Sequence, residues 1–355
     1  MPDSSPARIF IKGNEAIALG ALNAGLKCYF GYPITPQNEI PEYLSKELVD
    51  RGGQFVQAES ELAAASMLLG ATAAGVRAMT SSSSPGISLK QEAISYMAGS
   101  ELPAVIVNMA RGGPGLGDIG PSQGDYFQAV KGGGHGDYKL LVLAPGTCQE
   151  AYDLTIKAFD LAFKYRNPVM ILGDAILGQM KESVSPWEPA QPDPDEGASW
   201  RLTGAKGRKH RILRSLLLEE GVLAAHNRHL QQKYKEMAQE ILIELFEVDD
   251  ADLVVVGYGS IGRIAKSAVR KLRKEGLKVG LARPVTLFPF PAQALRDLAV
   301  QGKRFLTIEQ NLGQMVEDVR LSIRGVADSD QFSVYPGDLP SPEEFEDPIR
   351  NSLGG

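Results

Sequence analysis

The sequence predicts two α/β units in tandem, the first a doubly wound, mostly parallel sheet. Three observations carry that prediction. From residue 8 to about 180, the strand-like runs KCYF, QFVQ, VRAMT, AVIVNM, LLVLA and PVMIL alternate with helical stretches such as NEIPEYLSKELV and ELAAASMLLGATAAG. That is the rhythm of parallel strands joined by crossover helices. The segments GYPITP (31–36), AES (58–60), SSSSPG (81–86) and ARGGPG (110–115) each follow a strand-like run, and such sheets bind ligands beyond the carboxyl ends of their strands. A composition break after Met180 and a fresh strand–helix pattern from Asp252 then divide the 355 residues, which exceed what one hydrophobic core usually serves. The expected units are 8–180, a linker arm with a long helix over 181–249, and 250–355.

GYPITP comes first along the chain. Its prolines remove two backbone donors and force an extended shape on Tyr32 and Thr35, so the segment is a stiff rim at a strand tip. In QAESELAAASM (57–67), Glu61 falls in the first turn of an Ala-rich helix. The helix dipole alone favours an acid there, yet a carboxyl placed at a seam is also suited to share a proton with a heterocycle nitrogen. Glu59 competes for that role. Small residues 63–66 permit close packing against another surface. The stretch 112–138, from GGPGLGDIGPSQGDY to KGGGHGDY, is long for a loop in a compact domain. It carries Tyr126, Phe127 and Val130, which should pack, so a functional loop is expected. His135 lies between glycines that let its backbone approach another group closely.

The proline-rich arm after Met180 precedes a long amphipathic helix expected over 219–248. On that helix His226 and His229 should be solvated. Gly257-Tyr258-Gly259-Ser260-Ile261-Gly262 matches G-x-G-x-x-G between a strand and a helix, a pattern that can seat a pyrophosphate. The confirming acid at the tip of the next strand is missing, and Arg283 stands there. A tight turn needing glycine for geometry is therefore favoured over a nucleotide site, which would make the chain a regulatory or scaffold protein. Ser341, Pro342 and Glu344 form a capping box for a short helix near the end.

Composition sets limits. A net charge of −6 argues against broad nucleic-acid binding despite the basic stretch GAKGRKHRILR (204–214). No window approaches the run of about 20 apolar residues that spans a bilayer, and MPDSSPARIF lacks a signal peptide's pattern, so the cytoplasm is the expected compartment. Cys28 and Cys148, the only cysteines, cannot hold an iron–sulfur cluster alone and read as small buried hydrophobes. No histidine sits at metal-ligand spacing with supporting ligands.

Taken with RNPVMILGDAILGQM and IEQNLGQMVEDVRL, these motifs resemble the alpha subunit of the 2-oxoacid:ferredoxin oxidoreductases over roughly Ile9 to Ile323, and most of all the branched-chain (3-methyl-2-oxobutanoate) type. Gln37-Asn38 stand where the 2-oxoglutarate type usually has serines. The resemblance implies a thiamine diphosphate enzyme split over several chains, this one supplying the pyrimidine-binding domain and a transketolase C-terminal-like domain. The diphosphate and Mg²⁺ would be held by a beta subunit, because the G-D-G…N-N segment is absent and GDA at 173–175 breaks it. The [4Fe–4S] clusters would lie on the beta and small ferredoxin-like subunits, with a gamma subunit, ferredoxin as acceptor and coenzyme A as cosubstrate, in a dimer of hetero-oligomers. Carried over by motif, Glu61 would hydrogen-bond the aminopyrimidine N1′ and assist removal of the thiazolium C2 proton. The Thr35 hydroxyl and Arg111 would contact the oxoacid, and Pro33, Ile34 and Ser84 would line the cofactor pocket. 2-Oxoglutarate and aryl oxoacids are the alternative substrates.

Overall fold

The structure, a computed structural model, describes residues 8–354. The central seven-stranded sheet has the order Thr286–Phe288, Leu141–Leu143, Val169–Asp174, Val105–Ala110, Ala78–Ser82, Cys28–Gly31, Gln54–Gln57. All neighbours are parallel except the first pair. Ala78–Ser82, Val105–Ala110 and Val169–Asp174 are buried along their whole length, as strands covered on both faces must be. The carboxyl ends of Cys28–Gly31, Gln54–Gln57, Ala78–Ser82 and Val105–Ala110 deliver GYPITP, Glu61, SSSSPG and Arg111 in turn to one edge, as expected.

The edge strand Thr286–Phe288 comes from the far end of the chain and pairs antiparallel with Leu141–Leu143. The second sheet, ordered Ser329–Ser333, Arg304–Glu309, Leu253–Val256, Val279–Pro284, Ile243–Phe246, is parallel except for its last strand. One apolar core joins the two sheets: Ile106, Tyr126 and Val142 share it with Val256, Tyr258 and Met315.

Two expectations are corrected. The helix expected over 219–248 covers only Val222–Met237, and residues 243–246 form an antiparallel edge strand instead. Ile243 and Glu244 are half-buried and Leu245 is exposed, and Glu244 accepts from buried Arg283 at 2.6 Å. His226 is half-buried where it was expected to be solvated, whereas His229 is exposed as expected. The first meets the Gly99 carbonyl at 2.7 Å and the second the Glu101 carboxylate at 2.9 Å, docking the helix onto the first unit. The capping box stands, with the Ser341 amide donating to Glu344 Oε1 at 3.0 Å.

Candidate active site

Glu61 opens the helix Glu61–Ala73, whose N-cap Ser60 accepts from the Ala63 amide at 3.2 Å. The competing Glu59 is exposed, whereas Glu61 is only 6% exposed. Its carboxylate accepts no hydrogen bond from any described residue. It lies against Gly86, where a Cβ would stand 2.6 Å from Glu61 Oε1 and 2.1 Å from Ser82 Oγ, so only glycine fits the turn that starts the neighbouring helix Ser84–Gly99.

GYPITP is held from three sides. Asn14 Nδ2 donates to the Pro36 carbonyl at 2.8 Å, Gln179 Nε2 to the same oxygen at 3.3 Å, and Arg111 Nη1 to the Thr35 carbonyl at 3.1 Å. Gln37 is fully buried and turns inward, its Oε1 accepting from Ser81 Oγ at 2.5 Å. Asn38 reaches the Thr35 hydroxyl at 3.4 Å. The two residues that replace the serines thus brace the rim. Arg111 also donates to the Leu116 carbonyl at 3.0 Å, and its buried Nε has no partner, so part of a five-donor fork remains available. Its amide donates to Ser84 Oγ at 2.9 Å, and the Ser84 amide to Asn108 Oδ1 at 3.2 Å.

The rim separates two cavities. One, of about 300 Å³, is lined by Gly31, Pro33, Asn38 and Phe55. The other, of about 370 Å³, lies between Ser84, Arg111 and Asp125 on one side and Asn311, Leu312 and Gln314 on the other. Burial pushes the Asp125 carboxyl up, opposed by the Asn108 amide at 2.8 Å. The helices that begin at Glu61 and Ser84 expose Leu62, Leu89 and Tyr96 at 52%, 53% and 43%.

The long loop is the hinge between the units. Gln123 trades bonds with the Gln310 backbone (N to O 2.8 Å, Oε1 from N 3.0 Å) and donates from Nε2 to the Tyr258 carbonyl at 3.0 Å. Tyr126 donates to Asp318 at 2.7 Å. His135 is exposed, and its carbonyl accepts from Ser95 Oγ at 2.6 Å. GYGSIG serves as a closed turn. Asp174 accepts from the Ser260 hydroxyl at the start of that helix, and a Cβ on Gly262 would meet the Gly257 carbonyl at 2.5 Å. Asp174 itself is the acid of the GDA segment, pushed up by burial. Among the described residues no group of three or more His, Cys, Asp or Glu could hold a metal ion, and no helix is long and apolar enough to cross a membrane. The buried Cys148 thiol is pushed up to about 12 by burial, with Glu182 adding to it.

The residues of the site that sequence reasoning missed are Lys90, Asn108, Gln123 and Asp125. Lys90, which donates to the Glu61 backbone carbonyl at 3.4 Å, left a signal, because it falls in the stripe Ile87, Lys90, Ile94, Met97 that faces the core. The others become visible only when the loop is folded against the second unit.

Glu61, at the start of an Ala-rich helix, and Arg111, just past the strand Val105–Ala110, thus lie on the carboxyl-end edge of one sheet. The comparisons say which family builds such an edge. The family model described as pyruvate flavodoxin/ferredoxin oxidoreductase, thiamine diphosphate-binding, matches residues 19–242, and that of pyruvate:ferredoxin oxidoreductase core domain II matches 251–345. The chain belongs to the 2-oxoacid:ferredoxin oxidoreductase family, as an alpha-type subunit. It is 50% identical to the ketoisovalerate oxidoreductase subunit VorB of Methanothermobacter thermautotrophicus, over 97% of each chain. It is 36% identical to the 2-oxoglutarate synthase subunit KorA of Methanothermobacter marburgensis, over 95% of this chain and 96% of that one. A solved 2-oxoglutarate:ferredoxin oxidoreductase from Magnetococcus marinus superposes with a TM-score of 0.86 at 27% identity; the match covers 99% of this chain and 66% of that one. A split-gene transketolase, at 13% identity and a TM-score of 0.59, shares the fold.

Proposed function

We propose that this chain is the alpha subunit of an enzyme that oxidatively decarboxylates a branched-chain 2-oxoacid, 3-methyl-2-oxobutanoate, to its acyl-coenzyme A. In the overall reaction, 2-oxoacid and coenzyme A give acyl-coenzyme A, CO₂, a proton and two electrons, which leave for ferredoxin through [4Fe–4S] clusters on partner subunits. The observation that carries the reading is the Glu61 carboxylate, buried yet without a donor in its own chain. Its setting fits an aminopyrimidine ring, whose N1′ can share a proton with the carboxylate.

Thiamine diphosphate, when bound, supplies the nucleophilic carbon and electron sink that a 2-oxoacid decarboxylation needs. This chain's residues orient and transfer protons. Glu61 holds or releases a proton at its carboxylate oxygen. Arg111 offers its free donors to the oxoacid carboxylate in a paired geometry that lysine cannot reproduce. Thr35 would meet the oxoacid through its hydroxyl, with Pro33 on one cavity and Ser84 on the other contributing walls to the cofactor pocket and Ile34 between them on the rim. The exposed apolar side chains Leu62, Leu89 and Tyr96 on the two helices that begin at Glu61 and Ser84 suit cover by a beta subunit that brings Mg²⁺ and the diphosphate. Small ferredoxin-like and gamma subunits, a dimer of such assemblies and a cytoplasmic location belong to the same reading.

The branched-chain assignment rests on the 50% identity with the ketoisovalerate subunit. The test is turnover by the purified assembly supplied with coenzyme A and thiamine diphosphate. The isolated chain should be silent, and the assembly should favour 3-methyl-2-oxobutanoate in kcat/KM. Preference for 2-oxoglutarate or an aryl oxoacid would overturn the substrate, and full turnover by the isolated chain would overturn the division of labour.

A further inference from the structure

A cavity of about 660 Å³, larger than either one at the rim, lies between the helix Val222–Met237 and residues 131–139 of the long loop. It stands at the amino-terminal edge of the central sheet. Lys139 comes two residues before the strand Leu141–Leu143, and His226 on the same helix meets Gly99, just ahead of Val105–Ala110. GYPITP, Glu61 and Arg111 occupy the opposite edge, so this cavity is separate from the candidate active site. Lys131 and Lys139 from the loop and Arg228 and Lys235 from the helix line it, against one carboxylate, Asp137. Lys131 pairs with Asp318, and the Lys139 ammonium lies 5.6 Å from the Phe288 ring centroid. Arg228 and Lys235 are exposed and have no partner among the described residues. The helix dipole favours a cation in the last turn, which accounts for Lys235 but not for Arg228, two turns earlier. Neither has an acid three or four residues away on the helix to pair with. Elsewhere in this acidic chain helix cations find carboxylates: Lys164 meets Glu240, Lys271 meets Glu346 and Arg273 meets Asp250.

We propose that this cavity binds a small phosphorylated anion carrying at least two negative charges, at a site apart from the one where the 2-oxoacid reacts. The inference goes beyond the proposed function and does not depend on the role of Glu61. A cleft lined by one sign of charge concentrates counter-ions. With Asp137 and Asp318 set against Lys131 and Lys139, the charges of Arg228 and Lys235 remain unmatched. A guanidinium fork and an ammonium on one helix face suit phosphate oxygens, and the Gln231 and Gln232 amides beside them add neutral donors. The opposite wall is fixed before any ligand arrives. Buried Tyr138 accepts from the Gly134 amide at 3.0 Å and donates to Gln91 at 3.1 Å, and the His135 carbonyl accepts from Ser95 at 2.6 Å. Little ordering is then left for binding to offset. The cations converge on one cavity instead of running along a stripe, which favours a compact anion over an acidic protein segment.

The test is isothermal titration of the purified assembly with inorganic pyrophosphate, thiamine diphosphate being present at saturation so that the cofactor's own diphosphate site is filled. The wild type should bind it with an affinity that weakens as salt is raised. Arg228→Gln and Lys235→Gln change exposed side chains and should each weaken binding about tenfold, as loss of a charge-assisted hydrogen bond does. Lys235→Arg, which keeps the charge, should bind nearly as well as the wild type. Lys274→Gln removes an exposed lysine at the end of the helix Gly259–Lys274, away from the cavity, and should leave the affinity unchanged. Absence of binding, equal binding by the wild type and both glutamine variants, or equal weakening in Lys274→Gln would overturn the proposal. Binding by the isolated chain that the assembly lacks would also overturn it, since a neighbouring subunit would then fill the cavity.

Discussion

Arg111 reaches two carbonyls of neighbouring segments and still has donors left over. It braces the rim and can also bind an anion. Lysine in its place would keep the charge but lose the fork, so Arg111→Lys in the assembly should raise KM for the oxoacid about tenfold, as loss of a charged hydrogen bond does. Steady-state kinetics check it, and a fall in kcat with KM unchanged would place the arginine elsewhere in the cycle. Glu61, Thr35, Ser84 and Arg111 sit in short motifs at strand tips, so their positions were legible, while their proposed roles came only from the resemblance those motifs carry. Gln37 was legible as a difference but not as a brace. Its direction is set by Ser81, on a different strand.

Helix starts do most of the positioning. The Ser60 cap aims Glu61, and Gly86 makes room for it. Gly86→Ala should cost about 1–3 kcal/mol, as overpacking does, and should depress turnover by displacing Glu61. Gly70, on the exposed side of the helix Glu61–Ala73, has open space around the Cβ it lacks. Gly70→Ala should stabilise by about 0.5–1 kcal/mol. Denaturant midpoints of both variants check the pair, and a stabilising Gly86→Ala would contradict the assigned geometry. At this scale the strand–helix rhythm, the closed GYGSIG turn and the Ser341 cap were all legible, because each is a local pattern. The end of the long helix was not. Helical propensity continues past Met237, and the edge strand forms only because Val279–Pro284 offers a partner and Arg283 an ion pair.

The whole molecule is one body because polar groups lock the two sheets across a shared core. The Gln123 side chain accepts from the Gln310 amide and donates to the Tyr258 carbonyl, which also accepts from the Gly262 amide, so Gln123→Ala leaves the buried Gln310 amide unpaired and should cost about 1–3 kcal/mol. Asp174 reports on the same seam. Burial raises its folded pKa above the unfolded value, so the native state holds the proton more tightly and the carboxyl's contribution to stability falls as pH rises from about 4. The stability of wild type relative to Asp174→Asn should therefore fall between pH 4.5 and pH 7.5 in urea titrations, and a rise would contradict the buried seam. None of this inter-unit contact was legible in the sequence, because it depends on how the 112–138 loop folds against a unit more than a hundred residues away. The central claim is that Glu61 is the proton-handling group of a site completed by another subunit. It is tested most directly by the 2-oxoacid turnover of the assembly carrying Glu61→Gln: the account predicts a loss of about 10²–10⁴-fold in kcat with assembly intact, and a wild-type rate would contradict it.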